Sequence, residues 1–162
     1  MATENKNLSV YDRSSLPNAE QLKVGIVVSE WNGHITDGLY QGAVQVLKDC
    51  GMPDENIIKW NVPGSFELIF GAARMHKTLE LDAVIVIGCV IQGETKHFDF
   101  VCEGVTQGIK DLNVKYDIPT IFCVLTDNNE QQSIDRSGGK HGNKGVEAGV
   151  TALKMIALNK GL

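Results

Sequence analysis

The sequence predicts an α/β domain, a three-layer sandwich in which a four-stranded parallel sheet is flanked by helices and preceded by an N-terminal arm. Two observations carry this prediction. Short Val/Ile-rich runs alternate with segments whose apolar residues fall at helical spacing, and repeated strand–helix alternation implies right-handed crossovers and a parallel sheet. The third run, AVIVIGCVI from Ala83 to Ile91, is apolar throughout and does not alternate, as a parallel strand covered on both faces should be.

Residues 1–20 read as the arm. They are polar, include Pro17, and hold only short apolar pieces such as Leu8 and Val10. Residues 21–162 read as a single domain. KVGIVVSE, residues 23–30, is the first strand. Over residues 33–50, Ile35, Leu39, Ala43, Val46 and Leu47 trace one helical face, and Gly51 follows as a stop. Residues 57–62 form the second strand. Pro63 and Gly64 punctuate the chain before a helix over 65–76, with Ser65 as its N-cap. The third strand covers 82–91 and the third helix 97 to about 112. TIFCVLT, residues 120–126, is the fourth strand, with Pro119 at its edge. Helices over about 129–136 and 143–159 close the chain, which shows no internal repeat and no low-complexity segment.

The bulk properties exclude several classes. A chain of 162 residues, 43% hydrophobic and 22% charged, suits one soluble globular domain and argues against disorder. A net charge of -5 tilts against a nucleic-acid surface. No run approaches the roughly 20 apolar residues of a membrane span. The polar start MATENKNLSVYDRSS lacks the apolar core of a secretory signal. Cys50, Cys89, Cys102 and Cys123 are widely spaced, with no CxxC pair, so no zinc site is expected. Three of the four sit in apolar segments, and reduced, buried, inert thiols in a cytoplasmic protein are the expectation.

Ligands of such a sheet bind beyond the carboxyl ends of its strands. Four loops qualify: 29–32, 62–67, 92–97 and 126–131. The third lies within GCVIQGETKHFDFV, residues 88–101. A helix start there offers unpaired N–H groups and a positive dipole end to a phosphate. Gly93 permits close backbone approach, Thr95 adds a hydroxyl, and His97 brings an imidazole, the side-chain type suited to proton transfer near neutral pH. The same residues also read as an ordinary cap beside a surface histidine.

In the second loop, VPGSFELIFGA, Glu67 complements a helix dipole. Ser65 and Phe66 could offer backbone groups and an aromatic face to a ligand. Trp31, followed by Asn32, reads either as core or subunit interface, or as a platform for a flat heterocycle. Phe122 reads as core by composition, or as a second aromatic facing the same ligand. In IDRSGGKHGNKGVEAG, Arg136, Lys140, His141 and Lys144 fall within nine positions. Arginine grips phosphate in a forked manner, although a solvated basic turn fits equally.

Several signatures are missing. SEWNG stands where a GxGxxG would follow the first strand, and no Walker A loop, GxSxG elbow or HExxH helix occurs. Histidines 34, 76, 97 and 141 are not spaced as a metal cluster.

The succession SEWN, VPGSFEL, GCVIQGETKHFDFV, IFCVLT and QQSIDRSGGKHGNKGVEA resembles the lumazine synthases over residues 24–159. The resemblance implies condensation of 5-amino-6-ribitylaminouracil with 3,4-dihydroxy-2-butanone 4-phosphate, without metal or redox cofactor. It implies that Trp31, where the family usually has phenylalanine, stacks on the pyrimidine. Ser65, Phe66 and Glu67 would hold the ribityl chain, and Cys89, Val90 and Ile91 the uracil edge. Glu94, Thr95 and Arg136 would bind phosphate, and His97 would shuttle protons. Phe122 would come from a neighbouring subunit, with Asn32, Lys144 and Glu147 in support. Ile69 stands where many relatives have proline.

The resemblance further implies a homopentamer whose sites lie between adjacent subunits of a ring of five. It points on to a sixty-subunit icosahedral shell, since the turn RSGGKHGNKG carries no insertion. The arm would add a strand to a neighbour's sheet. Riboflavin synthase is the candidate encapsulated partner. Two rival readings share the layering. A flavodoxin-like FMN-binding carrier would hold a yellow, redox-active chromophore. A non-catalytic lumazine- or riboflavin-binding, or shell-forming, paralogue is opposed by the retained Thr95, His97 and Arg136.

Overall fold

The structure, a computed structural model, describes residues 7–162; the first part of the expected arm lies outside the described residues. Four strands form one parallel sheet: β1 (Val24–Ser29), β2 (Ile57–Val62), β3 (Ala83–Ile91) and β4 (Thr120–Asp127), in the spatial order β2-β1-β3-β4. β1 and β2 end level, with Ser29 beside Val62, and β3 and β4 end level farther on, with Ile91 beside Asp127. The following loops therefore open at one edge of the molecule.

The helices are α1 (Gly33–Asp49), α2 (Leu68–Thr78), α3 (His97–Lys115), α4 (Glu130–Arg136) and α5 (Lys144–Lys160). A strand turns alternate side chains to opposite faces, and both faces here are covered. Ile26, Ile85 and Ile87 pack with Leu39, Leu47, Leu153 and Ile156 of α1 and α5. Val27, Val84 and Val86 pack with Leu68, Met75, Val105 and Ile109 of α2 and α3. This explains the uninterrupted apolar run of β3. Each such buried side chain contributes roughly 1.5–3 kcal/mol of transfer free energy.

The three-layer, flavodoxin-like arrangement expected from the sequence is what is observed, with local differences. The helix expected from residue 65 begins at Leu68, and Ser65 is not its cap. Pro63 leads into a turn, Glu67 takes the cap position without a side-chain hydrogen bond, and Leu68 N donates to Ser65 O at 3.3 Å. The Ser65 hydroxyl is buried instead, over Gly88, where an added Cβ would sit 2.6 Å from its Oγ. α3 runs past Leu112 to Lys115. Asn113 stays helical and brackets the start of β4, donating to Thr120 O and accepting from Thr120 N, both at 2.8 Å.

Residues 137–143, read as a plain turn, form a small antiparallel pair, β5 (Ser137–Gly139) and β6 (Gly142–Asn143). The described part of the arm lies against its own chain. Leu8 N donates to His141 O at 3.0 Å, Ser9 Oγ accepts from Asn143 N at 3.0 Å, and Tyr11 Oη donates to Asp49 at 2.6 Å. Leu16 and Ala19 are core residues, buried with α1 and α5.

Candidate active site

A cavity of about 720 Å³ opens at the carboxyl end of the sheet. The loop after β1 supplies Trp31 and Asn32. Trp31 is 72% exposed at the mouth, so it is not core. Asn32 has φ 59 and ψ 44, the left-handed region that asparagine tolerates better than most residues. Its Nδ2 donates to Cys89 O at 3.0 Å and fastens this loop to the end of β3.

The loop after β2 supplies Ser65, Phe66 and Glu67. The Phe66 ring lies over Gly104 of α3, where an added Cβ would meet it at 2.7 Å. Ser65 Oγ is buried with no partner among the described residues, although it lines the cavity. That leaves a hydroxyl free for a ligand, since buried polar groups are rarely left unpaired. β3 ends in Cys89, Val90 and Ile91 along the cavity floor. Beyond them Gly93, Thr95 and His97 complete the rim, and Thr95 Oγ1 accepts from His97 N at 3.3 Å. This contact turns the loop into α3 and leaves the imidazole exposed at the helix start.

The remaining candidates stand elsewhere in the chain. Glu94 is exposed on the same loop but does not line the cavity. Phe122 is not core: it is 42% exposed, because β4 is an edge strand. It lines a separate cavity of about 570 Å³ together with Lys144 and Glu147, which pair at 2.8 Å. Arg136, in the last turn of α4, lines neither cavity. Its Nη1 donates to Gln132 O at 2.9 Å and faces Asp127 Oδ1 at 4.0 Å.

The cysteines are free. Cys50, Cys89 and Cys123 are buried and Cys102 is half-buried. Burial pushes all four thiols up, Cys123 to about 12. They stay protonated near neutral pH and supply no thiolate nucleophile. Among the described residues no group of three or more His, Cys, Asp or Glu is placed to hold a metal ion. No helix of the described residues is long and apolar enough to cross a membrane.

The family model for 6,7-dimethyl-8-ribityllumazine synthase matches residues 21–160, which carry the sheet, its helices and every loop of the cavity. The chain belongs to the 6,7-dimethyl-8-ribityllumazine synthase family. A relative of that name from Flavobacterium johnsoniae is 73% identical over 160 residues, covering 99% of this chain and 84% of its own length. One from Christiangramia forsetii is 64% identical over 161 residues, covering 99% and 96%. One from Parabacteroides distasonis is 58% identical over 156 residues, covering 96% and 98%.

Sequence reasoning missed part of the cavity of this lumazine synthase family member. Phe98, Phe100 and Val101, in the first turn of α3, also line it. Phe100 is 69% exposed. The available signal was HFDFV itself, since apolar residues crowd a helix start where polar ones are usual. Helical periodicity alone assigns such residues to an amphipathic face and says nothing about which end of that face borders a cavity.

Proposed function

We infer that this chain condenses 5-amino-6-(D-ribitylamino)uracil with 3,4-dihydroxy-2-butanone 4-phosphate to give 6,7-dimethyl-8-ribityllumazine, inorganic phosphate and water, the penultimate step of riboflavin biosynthesis. The observation that carries this reading is the gathering of Trp31, Ser65, Glu67, Thr95 and His97 around one cavity in a chain of this family.

The chemistry fits the residues. The free amine of the pyrimidine attacks the ketone, a C–N bond forms, and one water leaves to give an imine. Loss of a carbon-bound proton expels phosphate with the C–O electron pair. The resulting enol returns to a ketone, the ribityl-bearing nitrogen attacks it, and a second water leaves as the ring closes. Each step moves a proton near neutral pH, and His97 is the group at hand. Trp31 and Phe66 supply flat and apolar walls for the pyrimidine. Ser65, Phe66 and Glu67 hold the ribityl chain, and the strand end at Cys89, Val90 and Ile91 reads the uracil edge. Glu94, Thr95 and Arg136 take the phosphate, whose departure is eased by neutralisation of its charge. Bringing two reactants into one pocket removes much of the entropic barrier.

In this reading the site is completed by a second copy of the chain. Phe122 and Arg136 lie away from the cavity of their own chain, and they serve the cavity of a neighbour, with Lys144 and Glu147 in support. The assembly is a homopentamer, extended to an icosahedral shell that could enclose riboflavin synthase in the cytoplasm. Residues 21–162 act as one domain, and the arm reaches a neighbouring sheet.

The test is direct. Mixing both substrates with the protein should produce lumazine fluorescence and an equal amount of released phosphate. Product without phosphate, or neither, overturns the assignment.

A further inference from the structure

A line of polar contacts runs from the cavity floor to the guanidinium of Arg136. Asn32 Nδ2 donates to Cys89 O at 3.0 Å. Cys89 Sγ donates to Ser133 Oγ at 3.3 Å, and Ser133 Oγ donates to Asp127 Oδ2 at 2.8 Å. The other carboxylate oxygen, Asp127 Oδ1, faces Arg136 Nη1 at 4.0 Å. Cys89 is 1% exposed, Ser133 0% and Asp127 9%.

Such a carboxylate is not a surface charge of convenience. A charge so far removed from water is retained only when paired and hydrogen-bonded. Its backbone is held as firmly as its side chain. Asp127 pairs with Ile91 in the β3–β4 ladder, and its carbonyl accepts from Gln92 N at 2.9 Å. Arg136, by contrast, sits at the end of a seven-residue helix on a long, rotamer-rich side chain. Its contacts among the described residues run through Nη1, to Asp127 and to Gln132 O. The other edge of the guanidinium is left for a forked grip on an anion.

We propose that Asp127, fixed by Ser133 and the β3–β4 ladder, is the positioning residue that holds Arg136 ready for the phosphate of the ketone substrate. This rests on the reading of Arg136 as a phosphate-binding group. A guanidinium ordered before the substrate arrives spares binding the cost of ordering it. The negative charge of Asp127 opposes the phosphate dianion, but it is engaged by Ser133 and Arg136, so the orienting effect dominates.

The test measures KM for each substrate separately in the assembled protein. Asp127→Ala should raise KM for the ketone phosphate by about 5-fold to 30-fold, as couplings between contacting residues do, and leave KM for the pyrimidine within about 2-fold. Asp127→Asn, which keeps one acceptor oxygen but loses the charge and the second acceptor, should fall between wild type and Asp127→Ala. Ser133→Ala should shift the same KM by a smaller factor, and it carries the test if Asp127→Ala does not fold. In an Arg136→Ala background, Asp127→Ala should add nothing. Equal losses for both substrates, a lowered ketone-phosphate KM, or full additivity with Arg136→Ala would overturn the role of Asp127. An unchanged ketone-phosphate KM in Arg136→Ala alone would overturn the phosphate reading and this role with it. A large effect of Arg136→Ala with none from Asp127→Ala would remove the positioning role alone.

Discussion

His97 stands exposed at the start of α3 and lines the same cavity as Thr95, the residue whose hydroxyl turns the loop into that helix. His97→Ala should slow turnover by about 10-fold to 100-fold with little change in either KM. That is the lower part of the general acid–base range, because the positioning of the two reactants survives. An unchanged kcat would take the proton-shuttle role away from it. A second histidine makes a prediction about stability. His76 stacks on Tyr116, with ring centroids 4.4 Å apart and planes 2° from parallel, and its Nε2 lies 2.7 Å from Thr120 Oγ1. Burial holds its pKa below the ordinary histidine value. The unfolded chain therefore binds the proton more readily than the folded one. The stability owed to neutral His76 is fully present above about 6.5 and is lost as pH falls through the lowered folded value. Urea unfolding of wild type and His76→Phe between pH 7 and pH 4.5 should show a shallower acid loss in the variant; parallel curves would exclude His76 as the cause. At this scale the sequence was informative where a residue type has one use and a known place. The place of Thr95 and His97 at the cavity rim was legible because the loop after a parallel strand is where ligands bind. Ser65 was misread as a cap, because nothing local shows that the chain makes a full turn before α2.

Among the elements, α1 and α5 are held by their closest approach. An added Cβ on Gly149 would meet Ala43 O and Val46 Cβ, both at 3.0 Å, and one on Gly145 would collide with the carbonyl of Leu39. Both contacts are to backbone or to a β-carbon, which cannot swing aside. Gly149→Val should therefore destabilise the fold by about 1–3 kcal/mol through overpacking, read as a lower midpoint of denaturation. A midpoint equal to that of wild type would show that the two helices separate freely. The helices themselves were visible as 3.6-residue periods, and the strands as Val/Ile runs, because those patterns are local. The β5–β6 pair was not. It is five residues of glycine-rich chain whose pairing is decided by what it packs against: α1, through Asn143 Nδ2 donating to Gly38 O at 2.8 Å, and the arm, through Ser9.

Two of the cavities among the described residues lie near the expected site and share no lining residue, one beyond the ends of β1 and β3 and one along β4 and α5. Of the residues expected at one site, most line the first cavity, Phe122, Lys144 and Glu147 line the second, and Glu94 and Arg136 line neither, which is intelligible if copies of the chain complete each other. Native mass at micromolar protein should then equal that of a ring of five or of a shell built from such rings; a mass near one subunit would remove the shared-site reading. The sequence alone determined the order of the four long strands and five helices, the burial of both faces of β3, the family and three loops that border the cavity; the fourth loop expected there, 126–131, lines neither cavity. These follow from local periodicity and from motifs read along the chain. Tertiary structure alone decided that Trp31 and Phe122 are exposed, that Ser65 keeps a free buried hydroxyl, and that Asp127 and Ser133 connect Cys89 to Arg136. Those facts depend on which strand lies at the sheet edge and which side chains meet across it. Residues 89, 127, 133 and 136 become neighbours only when the ends of β3 and β4 come level beneath α4, and no spacing along the chain encodes that meeting.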